Sequence, residues 1–343
     1  MTEEIFPPQE LPVENAPHTE PHTEPLGETH AVYEAEAEAE TVLTGYLAAE
    51  GFIEPLLAEL GPDAQRVADR LVLLEGRPRP SAWAQNIWHE VERLPVASIK
   101  DAARQLKARQ RNWALWPVAH FRRAKLIEEL LPPVAAKPLE FPAPVPKAPL
   151  GSWTLVEPNE ILAARRCSSP FRHGEARFVE DRLAPPNRAY LKLWEALTLA
   201  EYISGTRPAP GERCLDLGAS PGGWSWVLQS LGARVTSVDK ADLDPAIKAL
   251  AGIEVRRESA FGLDPASIGP VDWLCSDVIC YPERLLRLVE RWMAAGNVRN
   301  FICTVKLQGP PDQAVLSAFA AIPNSHLLHL FHNKNELTWM RLA

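Results

Sequence analysis

The chain has 343 residues, 46% of them apolar, which is enough for a sizeable core and gives room for two domains or one domain with long extensions. Its formal charge of −8 hides an asymmetry: residues 1–65 hold fifteen acidic side chains and no Lys or Arg, while the rest carries 36 basic against 29 acidic, a net +7. No apolar run approaches the ~20 residues of a membrane helix, MTEEIFPPQE lacks the basic start and apolar centre of a signal peptide, and the five cysteines lack the C-x-x-C spacing of a zinc site. These patterns lead us to expect a cytoplasmic protein with reduced, buried thiols, no bound metal and no membrane partner.

Along the chain, residues 1–40 contain HTEPHTEP and EAEAEAE, which bury little and repel themselves, so a disordered acidic tail is expected. Residues 41–131 read as a mainly helical accessory region: GFIEPLLAELG and RVADRLVLLEG show apolar residues at three- and four-residue spacing before glycine. The segment from Ser98 to Leu131 continues the pattern with an interruption at Pro117. Between 100 and 125 there are eight Lys/Arg (100, 104, 107, 109, 111, 122, 123, 125) against one acid, Asp101, with Trp113 and Trp116 among them. That composition fits RNA contact, cations on phosphates and rings on bases. It fits equally a solvated helix face over core tryptophans.

The proline-rich stretch 132–150 reads as an extended linker between two bodies. From about 184 onward, apolar runs at 213–217, 234–238, 253–257, 271–276, 300–306, 325–330 and 336–341 alternate with helical patterns near 188–200, 221–231, 244–250, 282–295 and 310–321. This is the signature of an α/β, Rossmann-like fold: a doubly wound, mostly parallel, seven-stranded sheet.

Within it, CLDLGASPGGWSWVLQSLGARVTSVDK (214–240) reads strand, glycine turn, helix, strand, acid. Gly218 lets the chain leave the strand, Pro221 suits a first helical turn, and Gly222 and Gly223 expose N–H groups that can hold an anion. Asp239 is placed to accept from ribose hydroxyls, and Asp216 to serve an amino-acid end or brace the turn. A generic tight turn has the same glycines. The order D-x-G-x-x-P-G-G, without G-x-G-x-x-G, points to S-adenosylmethionine (SAM) rather than NAD. The candidate cofactor residues are Asp216, Gly218, Ala219, Ser220, Pro221, Gly222, Gly223, Trp224 and Asp239.

DLGASPGGWSWVL resembles the first motif of the FtsJ-type RNA ribose 2′-O-methyltransferases. PPNRAYLKLWEAL (185–197) resembles their S-R-A-x-x-K-L-x-E helix, CSDVICYP their fourth-strand motif, FICTVKLQG their lysine strand and NELTWMRL their closing strand. The resemblance covers roughly 150–343 and implies a SAM-dependent methyltransferase domain. It also implies an RNA partner and a K-D-K-E tetrad of Lys192, Asp277, Lys306 and Glu336. The form W-x-x-D-L-G-A-x-P-G-G-W resembles the branch that acts on large-subunit (23S) rRNA cytidine. Three departures stand out: Ser220 replaces Ala or Cys, Ser259 stands where an Asp usually meets the adenine amino group, and the N-terminal body is shorter and more helical.

A ribose hydroxyl needs alignment and a proton acceptor, not a metal. The resemblance assigns Lys306 as general base, with its pKa lowered by burial and a neighbouring ammonium. Lys192 would hold the 2′-oxygen, Asp277 would orient Lys306 beside the methyl group, and Glu336 would fix Lys192 and the ribose. Taken singly, Lys192 reads equally as a solvated helix residue and Glu336 as an edge-strand charge. Lys306, ending the apolar run FICTV, needs a partner. Other readings of the whole are a catalytically silent RNA-binding protein on this fold, a 2′-O-methyltransferase of another RNA such as tRNA, and transfer to another hydroxyl or amine. Base N-methylation is disfavoured, because Asp277-Val278-Ile279-Cys280 is not an N/D-P-P-Y/F motif.

Overall fold

The helical pattern over 41–131 is only partly realised. The computed structural model describes residues 42–134, 137–309 and 312–343; the acidic tail expected over 1–40 lies outside the described residues. The accessory region is mixed: β1 (Leu43–Ala48), α1 (Ile53–Leu60), β2 (Gln65–Ala68), β3 (Leu71–Glu75), β4 (Ala84–His89), β5 (Glu92–Pro95), α2 (Ile99–Arg109), β6 (Trp113–Leu115) and α3 (Phe121–Glu128). Beyond the proline-rich stretch come β7 (Gly151–Glu157), β8 (Glu160–Ala164) and β9 (Arg166–Cys167). They form two small sheets, ordered β2-β3-β1-β4-β9 and β5-β8-β7-β6.

RVADRLVLLEG is the clearest correction. Asp69 adopts a positive φ of 47° and turns the chain between β2 and β3, a conformation Asp tolerates better than most residues. Leu71, Val72 and Leu73 are then buried in succession, which a strand covered on both faces satisfies and a one-sided helix does not. A short apolar run carries the same spacing for either element. NWALWP likewise straightens into β6, with all three of its residues buried.

The proline-rich stretch does not divide two independent cores. Residues 41–343 form one compact unit. Tyr46 and Trp83 belong to the same apolar cluster as Leu215, Phe301 and Trp339. His329 N–H donates to Ala82 O at 2.8 Å, and Phe52 stacks on Trp83 with centroids 5.1 Å apart.

The second half follows the predicted alternation. It runs α4 (Tyr190–Ser204), β10 (Arg213–Leu217), α5 (Gly223–Ser230), β11 (Arg234–Asp239), α6 (Pro245–Lys248), β12 (Ile253–Arg257), α7 (Pro265–Ile268), β13 (Val271–Ser276), α8 (Pro282–Ala294), β14 (Val298–Lys306), α9 (Gln313–Ala321), β15 (Ser325–Leu328) and β16 (Glu336–Arg341). The seven strands are ordered β12-β11-β10-β13-β14-β16-β15. The first five are parallel, and β16 enters antiparallel between β14 and β15.

Helices cover the sheet as their patterns dictate. In α8, Leu285, Leu288, Val289 and Trp292 form a stripe at three- and four-residue spacing. Each such side chain contributes about 1.5–3 kcal/mol by leaving water. In α4, eleven consecutive residues from Tyr190 to Ala200 are buried, including Lys192 and Glu195. Two charged groups inside such a helix need partners. Glu195 finds them in the Phe331 and His332 N–H groups (2.8 and 2.9 Å) and the His332 ring at 2.8 Å.

Candidate active site

Parallel strands deliver their carboxyl ends to one edge of the sheet, and an antiparallel neighbour delivers its amino end there. Asp277 follows β13, Lys306 ends β14 and Glu336 begins β16. The β14–β16 ladder pairs Lys306 directly with Glu336. Lys192, in the first turn of α4, reaches the same point from the helix layer.

The four side chains meet. Lys192 Nζ lies 3.0 Å from both Asp277 carboxylate oxygens and 2.8 Å from Glu336 Oε1. Lys306 Nζ donates to Asp277 Oδ1 and Glu336 Oε2. Two ammonium groups and two carboxylates alternate, so the cluster is formally neutral. It is also largely buried: the Lys192 and Glu336 side chains are 10% and 9% exposed, Lys306 and Asp277 18% each. The solvated readings of Lys192 and Glu336 therefore do not hold.

Burial alone would raise the Asp277 carboxyl, but the Lys192 and Lys306 ammonium groups outweigh it and hold the group below the ordinary carboxylate range. Lys306 runs opposite to the sequence expectation. Burial pulls its pKa down, yet the charges and hydrogen bonds of Asp277 and Glu336 win and raise it. Thr304, which the sequence reading passed over, donates to Asp277 Oδ1 at 2.6 Å. Its signal was available: two residues before Lys306 on a strand, it points to the same face.

The glycine turn stands beside this cluster. Gly218 has φ +81°, and a Cβ on it would lie 2.7 Å from Val278 Cα, so only glycine lets the turn touch the residue after Asp277. Gly222 has φ +118° and caps α5, which begins at Gly223. Pro221 thus precedes the helix instead of occupying its first turn. A Cβ on Gly223 would meet Asn187 Oδ1 at 2.4 Å, making Asn187 a second contact that the sequence reading did not single out. The first-turn N–H groups of α5 have no partner within the helix. Trp224 is 3% exposed and donates from its ring to Ala189 O at 3.0 Å, so its side chain braces α4.

Asp239 ends β11, its oxygens accepting from Ser220 N–H (3.0 Å) and Ala241 N–H (2.9 Å). Ala219 is buried against Leu243 and Ile247, and the Ser220 hydroxyl donates to Asp242 O at 2.9 Å. Ser259 lies two residues past Arg257, the register partner of Asp239. Asp216 is fully buried. One oxygen accepts from Ser225 Oγ at 2.6 Å; the other, Oδ1, has no hydrogen-bond partner. Burial pushes this carboxyl up to about 7. An unpaired buried acceptor costs about 1–3 kcal/mol, and it suits the amino group of an amino-acid-bearing ligand such as SAM.

Away from this edge, Trp113 (2% exposed) and Trp116 (9%) are core residues, so neither ring is free to stack on a base. The cations of α2 and α3 are mostly exposed, and Arg104 and Lys125 pair within their own helices. The thiols of Cys214, Cys275, Cys280 and Cys303 are buried and raised by desolvation; Cys167 is partly buried at residue level and its thiol is raised to about 11 by the same cause. No helix among the described residues is long and apolar enough to cross a membrane.

Residues 185–305 match the FtsJ-like methyltransferase family. Ribosomal RNA large subunit methyltransferase M of Halorhodospira halophila is 37% identical over 158 residues, 45% of this chain and 46% of that protein. The protein of the same name from Methylococcus capsulatus is 39% identical over 184 residues, 50% and 51% of the two chains. The chain thus spans about half the length of the curated relatives it matches. A solved putative ribosomal RNA methyltransferase from Plasmodium falciparum aligns at 16% identity and TM-score 0.35, covering 46% of this chain and 96% of that one.

Proposed function

We propose, on the premise that residues 185–305 are an FtsJ-like methyltransferase domain, that the chain transfers a methyl group from SAM to a ribose 2′-hydroxyl of large-subunit ribosomal RNA in the cytoplasm. The observation that carries this reading is the contact of Gly218 with Val278, which sets the cofactor turn against the Lys192–Asp277–Lys306–Glu336 cluster. The names of the relatives support the choice of RNA.

SAM, when bound, supplies an electrophilic methyl group on a sulfonium. Asp216 Oδ1, which lacks a hydrogen-bond partner, would accept from its amino group, the N–H groups at the start of α5 would hold its carboxylate and Asp239 its ribose hydroxyls, and Ser259 would stand in place of the usual adenine-contacting Asp. On the acceptor side, Lys192 and Glu336 orient the substrate ribose, and Asp277 positions Lys306. Lys306, in its neutral form, takes the hydroxyl proton. The raised Lys306 pKa favours a second reading, in which Lys306 stays charged and stabilises the developing oxyanion. A rate that climbs with pH distinguishes the first from the second, whose rate is flat.

Purified protein given labelled SAM and total RNA from cells lacking it should place methyl on a ribose 2′-oxygen. Label on a base would refute the reading. Lys306→Ala should slow transfer by roughly 10²–10⁴-fold, the usual contribution of a positioned base, and an unchanged rate would remove Lys306 from that role.

A further inference from the structure

We propose that Tyr281, flanked by Ile279, is the platform on which the base of the acceptor nucleotide stacks, an inference that rests on the ribose-methylation reading above. Segment 277–281 interleaves anchored residues with outward ones. Asp277 is held by Lys192, Lys306 and Thr304, Val278 lies against Gly218, and Cys280 is 7% exposed. Between and beyond these anchors, Ile279 is 82% exposed and Tyr281 62%. The Tyr281 backbone is itself fixed: it caps α8, and its carbonyl accepts from Arg284 N–H at 3.0 Å and Leu285 N–H at 3.2 Å. An aromatic ring is thus carried outward on a rigid turn beside a buried ionic cluster.

The occupant follows from distance and size. Tyr281 is four residues from Asp277, so its Cα lies within about 14 Å of the cluster, the scale of a single nucleotide, and a nucleotide that presents its hydroxyl at the cluster can bring its base to the exposed Tyr281 ring. A ring face binds any base by stacking. Two side chains are far too little surface for a protein partner, which needs on the order of 800 Å².

The test compares wild type, Tyr281→Ala and Tyr281→Phe in steady-state and single-turnover transfer to unmethylated large-subunit rRNA fragments, with SAM binding measured by calorimetry. Tyr281→Ala should lower kcat/KM for RNA by roughly ten- to hundredfold, the range of one lost base stack, chiefly through KM and with SAM affinity unchanged. Tyr281→Phe should stay within about twofold of wild type, since stacking uses the ring alone. Three results would overturn the platform while leaving the reaction standing: Tyr281→Ala equal to an active wild type, a loss shared by Tyr281→Phe, or a loss accompanied by weaker SAM binding. A wild type that methylates no ribose would overturn both.

Discussion

Replacing Asp216 by Asn should stabilise the protein at alkaline pH, and the gain should grow with pH. The native carboxyl titrates near 7, against 3.8 for an ordinary aspartate, because it is fully buried. The native state therefore holds a proton that the unfolded chain has released between these two values. The stability this proton supports is intact below pH 3.8 and drains away as pH rises through 7. At pH 8 the ionised, buried group costs about 4 kcal/mol, of which about 3 kcal/mol accrues between pH 5 and 8. Asn has the same shape and does not ionise, and its side-chain oxygen can still accept from Ser225. The assay is urea unfolding of both proteins at pH 5 and pH 8. His173, whose pKa burial lowers to about 3, loads the pH dependence in the other direction but cancels in the difference between variants. Asp216→Asn should therefore gain about 3 kcal/mol on wild type between the two pH values. A wild-type-to-variant difference that is level with pH would refute a raised Asp216.

SAM binding should tighten for wild type as pH rises from 5.5 to 8, because an ionised Asp216 gains a cationic partner; Asp216→Asn should bind more weakly with little pH dependence, as titration calorimetry would show. Single-turnover methyl transfer should climb about tenfold per pH unit from pH 6 to 9 if Lys306 must first lose its proton, since Asp277 and Glu336 hold that proton tightly; a plateau near neutrality would favour the charged-lysine reading. Gly218→Ala should lose at least about 1–3 kcal/mol in thermal unfolding through its positive φ, and more through collision with Val278. Its SAM affinity should fall with it, and an unperturbed variant would show that the two turns do not touch as described.

The second half of the chain was legible because its central strands are buried on both faces and carry residues of a different kind at the site edge. Asp216, Asp239 and Lys306 each interrupt an apolar run where the strand meets the site edge. The sign of the Lys306 shift was not legible, because it depends on carboxylates 29 and 30 residues away arriving on the same ammonium. The accessory region misled for a local reason: Leu71–Leu74 carries helix-compatible spacing, and only pairing with β1 on one side and β2 on the other decides for a strand. Trp113 and Trp116 sit among cations in sequence but inside the core in space. Linear charge density therefore said nothing about which way the rings face.

The direct pairing of Lys306 with Glu336 makes the geometry of the ion cluster independent of the length of chain between them. Six consecutive partners, from Phe301–Arg341 to Lys306–Glu336, fix the register without reference to α9. The connection from β14 to β16 is then a permissive place for growth, where an insertion or a tag can be added while the ion cluster keeps its spacing.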